Sequence, residues 1–250
     1  ADIAALTTAQ VSKLSSEAIT ALTTDQVQAL TTAQIKALTT DQIVGLETGD
    51  LAMLSTDQIR ALTSSQISKL STDQLVALTT EQVQALSTAQ VASLTSAQLN
   101  NMASDDLQAL TTAQVRALTT DQISMLSTAQ VAAMETDDVA ALTTAQVAKL
   151  STEAIAALTT DQAMALTTSQ LKALTTDQVV ALETGDLAKL STDQVRALSS
   201  AQISTLSTDQ IVALSTEQVA GLTSAQVDAL TSTQISNMTS DQISSLPFGV

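Results

Sequence analysis

Leu110-Thr111-Thr112-Ala113-Gln114-Val115-Arg116-Ala117-Leu118-Thr119-Thr120-Asp121-Gln122-Ile123-Ser124-Met125 contains two copies of one octad. With slots numbered from the leucine, the consensus is Leu, Thr/Ser, Thr/Ser, Asp/Ala, Gln, Val/Ile, variable, Ala. Read outward, the anchor recurs every eight residues from Leu6 to Leu246, giving 31 anchors without insertion or deletion. Leu fills 28 of them, and Met102, Met134 and Met238 the rest. Slot six is Val, Ile or Leu in 29 of 30 octads. Ala163 is the exception, and Met164, next in sequence, is expected to fill the space. Slot five is Gln in 24 octads.

A continuous helix cannot use this period. Eight residues at about 100° each leave roughly 80° of drift per repeat, so the leucines would wind around the helix. Each octad instead reads as a helix start. With slot two as N-cap, its hydroxyl accepts from the slot-five N–H, and the slot-five Gln reaches back to the cap, a capping box. Leu at slot one and Val/Ile at slot six then form the hydrophobic staple. Charge agrees with this polarity. Of 25 acidic residues, 23 lie in slots two, four and five, while all nine basic residues lie in slots seven and eight. A helix dipole favours that placement.

Each helix has room for only about six residues, and one octad cannot bury enough apolar surface to stand alone. The expected fold is therefore all-α: a solenoid of 8-residue repeats, each a one-turn capped helix, forming an elongated superhelical rod. Slots one, six and eight are expected to share the core. Small Ala at slot eight would let neighbouring turns approach closely. Gln at slot five can cap its own helix and also form a ladder between turns. On the capping reading, removing Gln122 should cost less than removing Thr119. The alternative is a β-solenoid, for which Thr, Val and Ile are suited, but slots one, six and eight do not alternate with period two.

Residues 1–250 read as a single octapeptide-repeat solenoid. A longer period lies over it. Leu46-Glu47-Thr48-Gly49-Asp50-Leu51-Ala52 returns as Leu182-Glu183-Thr184-Gly185-Asp186-Leu187-Ala188, 136 residues or 17 octads later. The super-repeats span 6–141 and 142–246, with 247–250 as a C-terminal tail. Ile3 and Ala5 already fit slots six and eight, so the array is expected to continue in a longer parent chain.

Composition narrows the function. The chain has no Trp, Tyr, His or Cys and one Phe. Cys/His metal sites, a Ser-His-Asp triad, thiol nucleophiles and disulfides are therefore impossible within it. A net charge of -16 argues against nucleic acid or an anionic membrane as partner. No apolar run approaches the ~20 residues that span a bilayer. No nucleophile, base or phosphate loop accompanies the carboxylates, so neither an enzyme nor a catalytic or cofactor-binding residue is expected.

Four octads break the pattern. Slot two loses its hydroxyl and slot five becomes Asp at Glu47/Asp50, Ala103/Asp106, Glu135/Asp138 and Glu183/Asp186, with Asp105 and Asp137 adding slot-four carboxylates. A shifted cap, with Thr48, Thr136 or Thr184 opening the helix, explains them. The alternative is a Ca²⁺ site with oxygen ligands drawn from Glu47, Asp50, Glu135, Asp137, Asp138, Glu183 and Asp186. The slot-three hydroxyls, Ser or Thr in all 30 octads, leave an ice-binding rank as a further alternative to turn chemistry.

Leu22-Thr23-Thr24-Asp25-Gln26-Val27 resembles the Leu-Thr-Pro-Glu-Gln-Val opening of TAL-effector repeats, where Thr likewise opens a short helix. That likeness supports only the capping register, because the DNA-reading loop has no counterpart. The whole chain resembles the octapeptide-repeat arrays, Leu-Thr-Thr-x-Gln-Val-x-Ala, of large repetitive Gram-negative bacterial exoproteins described as adhesin-like. The resemblance implies an extracellular or cell-surface parent. The expected role is a structural spacer or scaffold segment, and the alternative is an adhesive binding module, Ca²⁺-tuned or ice-binding. Expected partners are neighbouring repeats of the parent chain and, through the solenoid ends, further copies, without membrane insertion.

Overall fold

The structure is a computed structural model that describes residues 3–247. Thirty α-helices of four to six residues follow a short 3-10 turn at Ile3–Ala5, and no strand occurs among the described residues. They are α1 to α30 in chain order, from α1 (Thr8–Val11) to α30 (Ser240–Ser245), one per octad. Every α-helix begins at slot three, so slot two is the N-cap throughout.

The capping box forms in 24 of the 30 helices, all those with Gln at slot five. At α15 (Thr120–Ser124), the Gln122 N–H donates to Thr119 Oγ1 at 3.2 Å, and the Thr119 N–H donates to Gln122 Oε1 at 2.7 Å. Ser15 and Ser151 cap without the return bond, because slot five is Ala18 or Ala154. The chain then turns at the next leucine, whose backbone leaves the helical region (Leu118 φ -56, ψ 136).

The chain divides into two compact units, Ala1–Met125 and Leu126–Val250. In the first, each helix packs on the helix three octads away: α1 (Thr8–Val11) on α4 (Thr32–Ala37), α4 on α7 (Thr56–Ala61), and α7 on α10 (Thr80–Ala85). The second repeats the scheme, with α18 (Thr144–Val147) on α21 (Thr168–Ala173) and α21 on α24 (Thr192–Ala197). Each unit is thus a helical solenoid of one-turn helices.

The core differs from expectation in one slot. Leu118 is 4% exposed, Ile123 1% and Gln122 3%, whereas Ala117 is only half-buried. Slots one, five and six line the interior, not one, six and eight. Helix geometry gives the reason. Slots five, six and the following one fall within an arc of about 100°, with slot eight roughly 110° from its centre and slots four and seven opposite. At Gly221, in slot eight, two turns approach closely. A Cβ built on Gly221 would stand 2.0 Å from Thr192 Cγ2, on the turn before. Met164 also departs from expectation. It is 48% exposed at slot seven and does not join the core beside Ala163.

Candidate functional site

The slot-five glutamine does most of the polar work in this fold. Its Oε1 completes the cap of its own helix, and its Nε2 crosses to the turn before. Gln122 Nε2 donates to the carbonyls of Val91 at 3.0 Å and Leu94 at 2.7 Å. In the second unit, Gln218 Nε2 donates to Leu187 at 2.8 Å and Leu190 at 2.6 Å. The acceptors lie 31 and 28 residues earlier, at slots six and one. They lie where a helix ends; the slot-six carbonyl also accepts from the next slot-one N–H, as Val91 does from Leu94 at 3.2 Å. One amide therefore starts one helix and finishes another. No buried side-chain nitrogen or oxygen is left unpaired among the described residues. At Ala163 the bond slips, and Gln194 Nε2 reaches the Met164 carbonyl at 2.9 Å.

Sequence reasoning offered the ladder only as an option beside the cap. The signal that requires it is the absence of Glu. Glu serves a capping box as well as Gln and suits the helix dipole better. Yet slot five never holds Glu, although slot four holds it at Glu17, Glu81, Glu153 and Glu217. Only an amide both accepts at the cap and donates across turns.

The four acid-bearing octads do not shift their caps. Glu47, Ala103, Glu135 and Glu183 stand at the N-cap without a side-chain cap bond, and the helices begin at Thr48, Ser104, Thr136 and Thr184 in the ordinary register. The cap is lost rather than moved, because slot-one packing holds the backbone in register. The carboxylates then separate by slot. Glu47, Asp105, Glu135, Asp137 and Glu183 face solvent, while Asp50, Asp106, Asp138 and Asp186 are buried in the glutamine position. Among the described residues, no three carboxylates converge on a point that could hold a metal ion.

A shorter, donor-less Asp finds other partners. Asp50 Oδ1 accepts from Thr24 Oγ1 at 2.8 Å, and Asp186 Oδ1 from Thr160 Oγ1 at 2.7 Å. Burial raises the Asp106 carboxyl above the usual range, with the charge of Asp105 adding to it. Burial, then Glu135 and Asp137, pushes Asp138 up to about 6. Three exposed slot-four acids, Glu17, Glu81 and Glu153, shift the other way. The Glu17 carboxyl is held down by its own backbone N–H and then by the Ser15 hydroxyl. The positions lacking Gln fall in pairs four octads apart, Ala18 with Asp50, Asp106 with Asp138, and Ala154 with Asp186. Missing rungs are thus grouped along the array rather than scattered.

Slots four and seven form the outer surface. Val44, Val76, Val180 and Val212 are 41–49% exposed at slot seven, interspersed with Lys, Arg, Gln, Ser and Ala at the same slot. A cavity of about 430 Å³ lies between Gln28 and Met53, whose carbonyl accepts from Gln28 Nε2 at 3.3 Å. Its one carboxylate, Asp57, is 3.8 Å from Arg60. No helix among the described residues is long and apolar enough to cross a membrane.

No curated protein shows significant similarity to the chain. The family profile of the ALTTAQ repeat matches six segments, residues 1–32, 43–80, 69–104, 99–135, 131–168 and 179–216. Those segments cover most of the sequence and coincide with the octads described above. The chain belongs to the ALTTAQ repeat family.

Proposed function

We propose that the chain is a structural spacer or scaffold segment of a repetitive protein at the cell surface or outside the cell. One observation carries this reading: the residue types fixed at slots one, two, five and six each have a task inside the stack, while slot three, Ser or Thr in all 30 octads and at the surface, opens each helix. Leu and Val/Ile fill the core, Thr/Ser caps, and Gln caps and bridges turns. The outward slot seven, where a binding face would need constancy, changes from Gln84 to Arg116, Ser124 and Val180. The extracellular setting rests on the resemblance to exoprotein octapeptide arrays. The 17-octad block, 6–141 and 142–246, is on this reading the unit by which the array grew. The repeat-only helical fold suits a non-enzyme, and the reading assigns calcium no structural role.

The test is binding. Immobilised chain presented to arrays of glycans and extracellular-matrix proteins, with and without millimolar Ca²⁺, should capture nothing saturably. A saturable ligand whose binding is lost on replacing Val44, Val76, Val180 and Val212 with Ser would establish an adhesive module instead. Antibody against the chain should label intact cells that express it. Labelling only after permeabilisation would overturn the extracellular assignment.

A further inference from the structure

Three polar devices fasten an ordinary turn: the N-cap hydroxyl, the return bond of the glutamine, and the bonds of its amide to the turn before. In α13 (Ser104–Gln108) all three are missing. Ala103 at the N-cap has no hydroxyl, and Asp106 stands in the glutamine slot. A glutamine there would reach the carbonyls of Leu75 and Leu78. The Leu75 carbonyl accepts from the Leu78 N–H at 3.1 Å, but no side chain among the described residues donates to either. The neighbouring rungs are intact. Gln98 donates to Ile67 and Leu70, both at 2.8 Å, and Gln114 to Val83 and Leu86 at 3.0 and 2.7 Å.

In α6 (Thr48–Ala52) and α23 (Thr184–Leu187) the cap and the glutamine are lost in the same way, but one bond is recovered. Asp50 accepts from Thr24, and Asp186 from Thr160. At α13 the hydroxyl in the matching place is Thr80. It serves Glu81, whose carboxyl is held down by its own backbone N–H, then by Thr79, with Thr80 adding to them. Asp106 is 8% exposed and has no hydrogen-bond partner among the described residues. What holds α13 is apolar: Met102, Leu107 and Leu110 are all buried. Met102, in the anchor slot, is also more flexible than the leucine it replaces.

We propose that α13 is a built-in yield point, which detaches from α10 (Thr80–Ala85), the helix it packs on, in a local opening that leaves the laddered turns beside it closed. Such an opening releases apolar contacts but breaks no amide bond to the turn before, so it needs less free energy than opening a complete turn. α6 and α23, with one bond recovered, rank between. A spacer with this feature gives way at a fixed place under load and recloses.

Native-state hydrogen exchange of the full chain, read residue by residue by NMR, tests this. The Leu107 and Leu110 N–H groups donate within the octad to Ala103 and Leu107 at 3.1 and 3.2 Å. They should be at least tenfold less protected than the N–H groups of Val115 and Leu118, in the same slots one octad later. Those of Leu51 and Leu54 should fall between. Ala103→Thr with Asp106→Gln should bring Leu107 and Leu110 up to the protection of Val115 and Leu118. Thr111→Ala with Gln114→Asp should create a second weak turn, lowering protection at Val115 and Leu118 at least tenfold while Ile67 and Leu70 stay as they were. Equal protection across these turns in the unmodified chain, no gain in the repaired chain, or a change spread evenly over the array would overturn the proposal.

Discussion

Gln122 is buried among apolar neighbours, yet all of its hydrogen-bonding groups have work. It accepts from the Thr119 N–H and donates to Val91 and Leu94. Gln122→Ala leaves the buried Leu94 carbonyl without its donor, at about 1–3 kcal/mol for a buried group left unsatisfied, strips the Val91 carbonyl of one of its two donors and removes the acceptor of the Thr119 N–H. It should therefore destabilise more than Thr119→Ala, at about 0.5–2 kcal/mol. That cost places it alongside Leu118→Ala at about 2–5 kcal/mol. This reverses the order that capping alone implies. Gln122→Glu separates the two roles more sharply. A cap-only glutamine would tolerate it, whereas a bridging glutamine would not, because a carboxylate cannot donate to two carbonyls. Urea unfolding at pH 7 should show Glu at least as damaging as Ala, with stability recovering in acid as the carboxyl gains a proton to donate. Asp138 carries a natural form of the same conflict. Its folded value of about 6 lies above the ordinary 3.8, so the folded chain binds the proton more tightly than the unfolded one. That contribution favours folding below about pH 4 and is lost as pH rises through 6. Asp138→Asn should raise the melting temperature at pH 7 and remove this part of its pH dependence. Unchanged curves would remove Asp138 from the account.

At the scale of the helix, nearly everything was legible in advance. The N-cap at slot two, the capping box wherever slot five is Gln, and the four-to-six-residue length all follow from local rules that act within eight residues. What failed required knowledge of the neighbouring turn. Slot eight was assigned to the core because Ala is apolar, but its angle places it on the flank. Met164 was expected to replace the missing bulk at Ala163, but one residue along a helix is about 100° around it. The four acid octads were expected to move their caps, and they keep register because the anchoring leucines on either side are packed. The same local logic singles out Gly185. It sits inside α23 (Thr184–Leu187), and a Cβ there would meet nothing within 4 Å. Gly185→Ala should therefore stabilise the protein by roughly 0.4–1 kcal/mol, through helix propensity and a less flexible unfolded chain. Thermal unfolding checks this, and a loss of stability would mean that the Gly185 backbone is not helical in solution.

At the scale of the whole array, stability comes from contacts between turns, and the amide ladder is the polar half of those contacts. It was the feature least visible in sequence, because a bond between residues 28 and 31 apart leaves no local mark. Only the exclusion of Glu from slot five betrays it. The chain supplies its own control, since Gln84 and Gln108 stand exposed at slot seven of the same repeats. Side-chain amide hydrogen exchange, followed by nitrogen-15 NMR, compares the two classes directly. The account predicts strong protection of the Nε2 protons of Gln82, Gln90, Gln114, Gln122 and Gln218, weak protection at Gln10 and Gln26, and none at Gln84 and Gln108. Interior slot-five amides exchanging as fast as Gln84 and Gln108 would contradict it, and would reduce the octad to a capped helix without a stack.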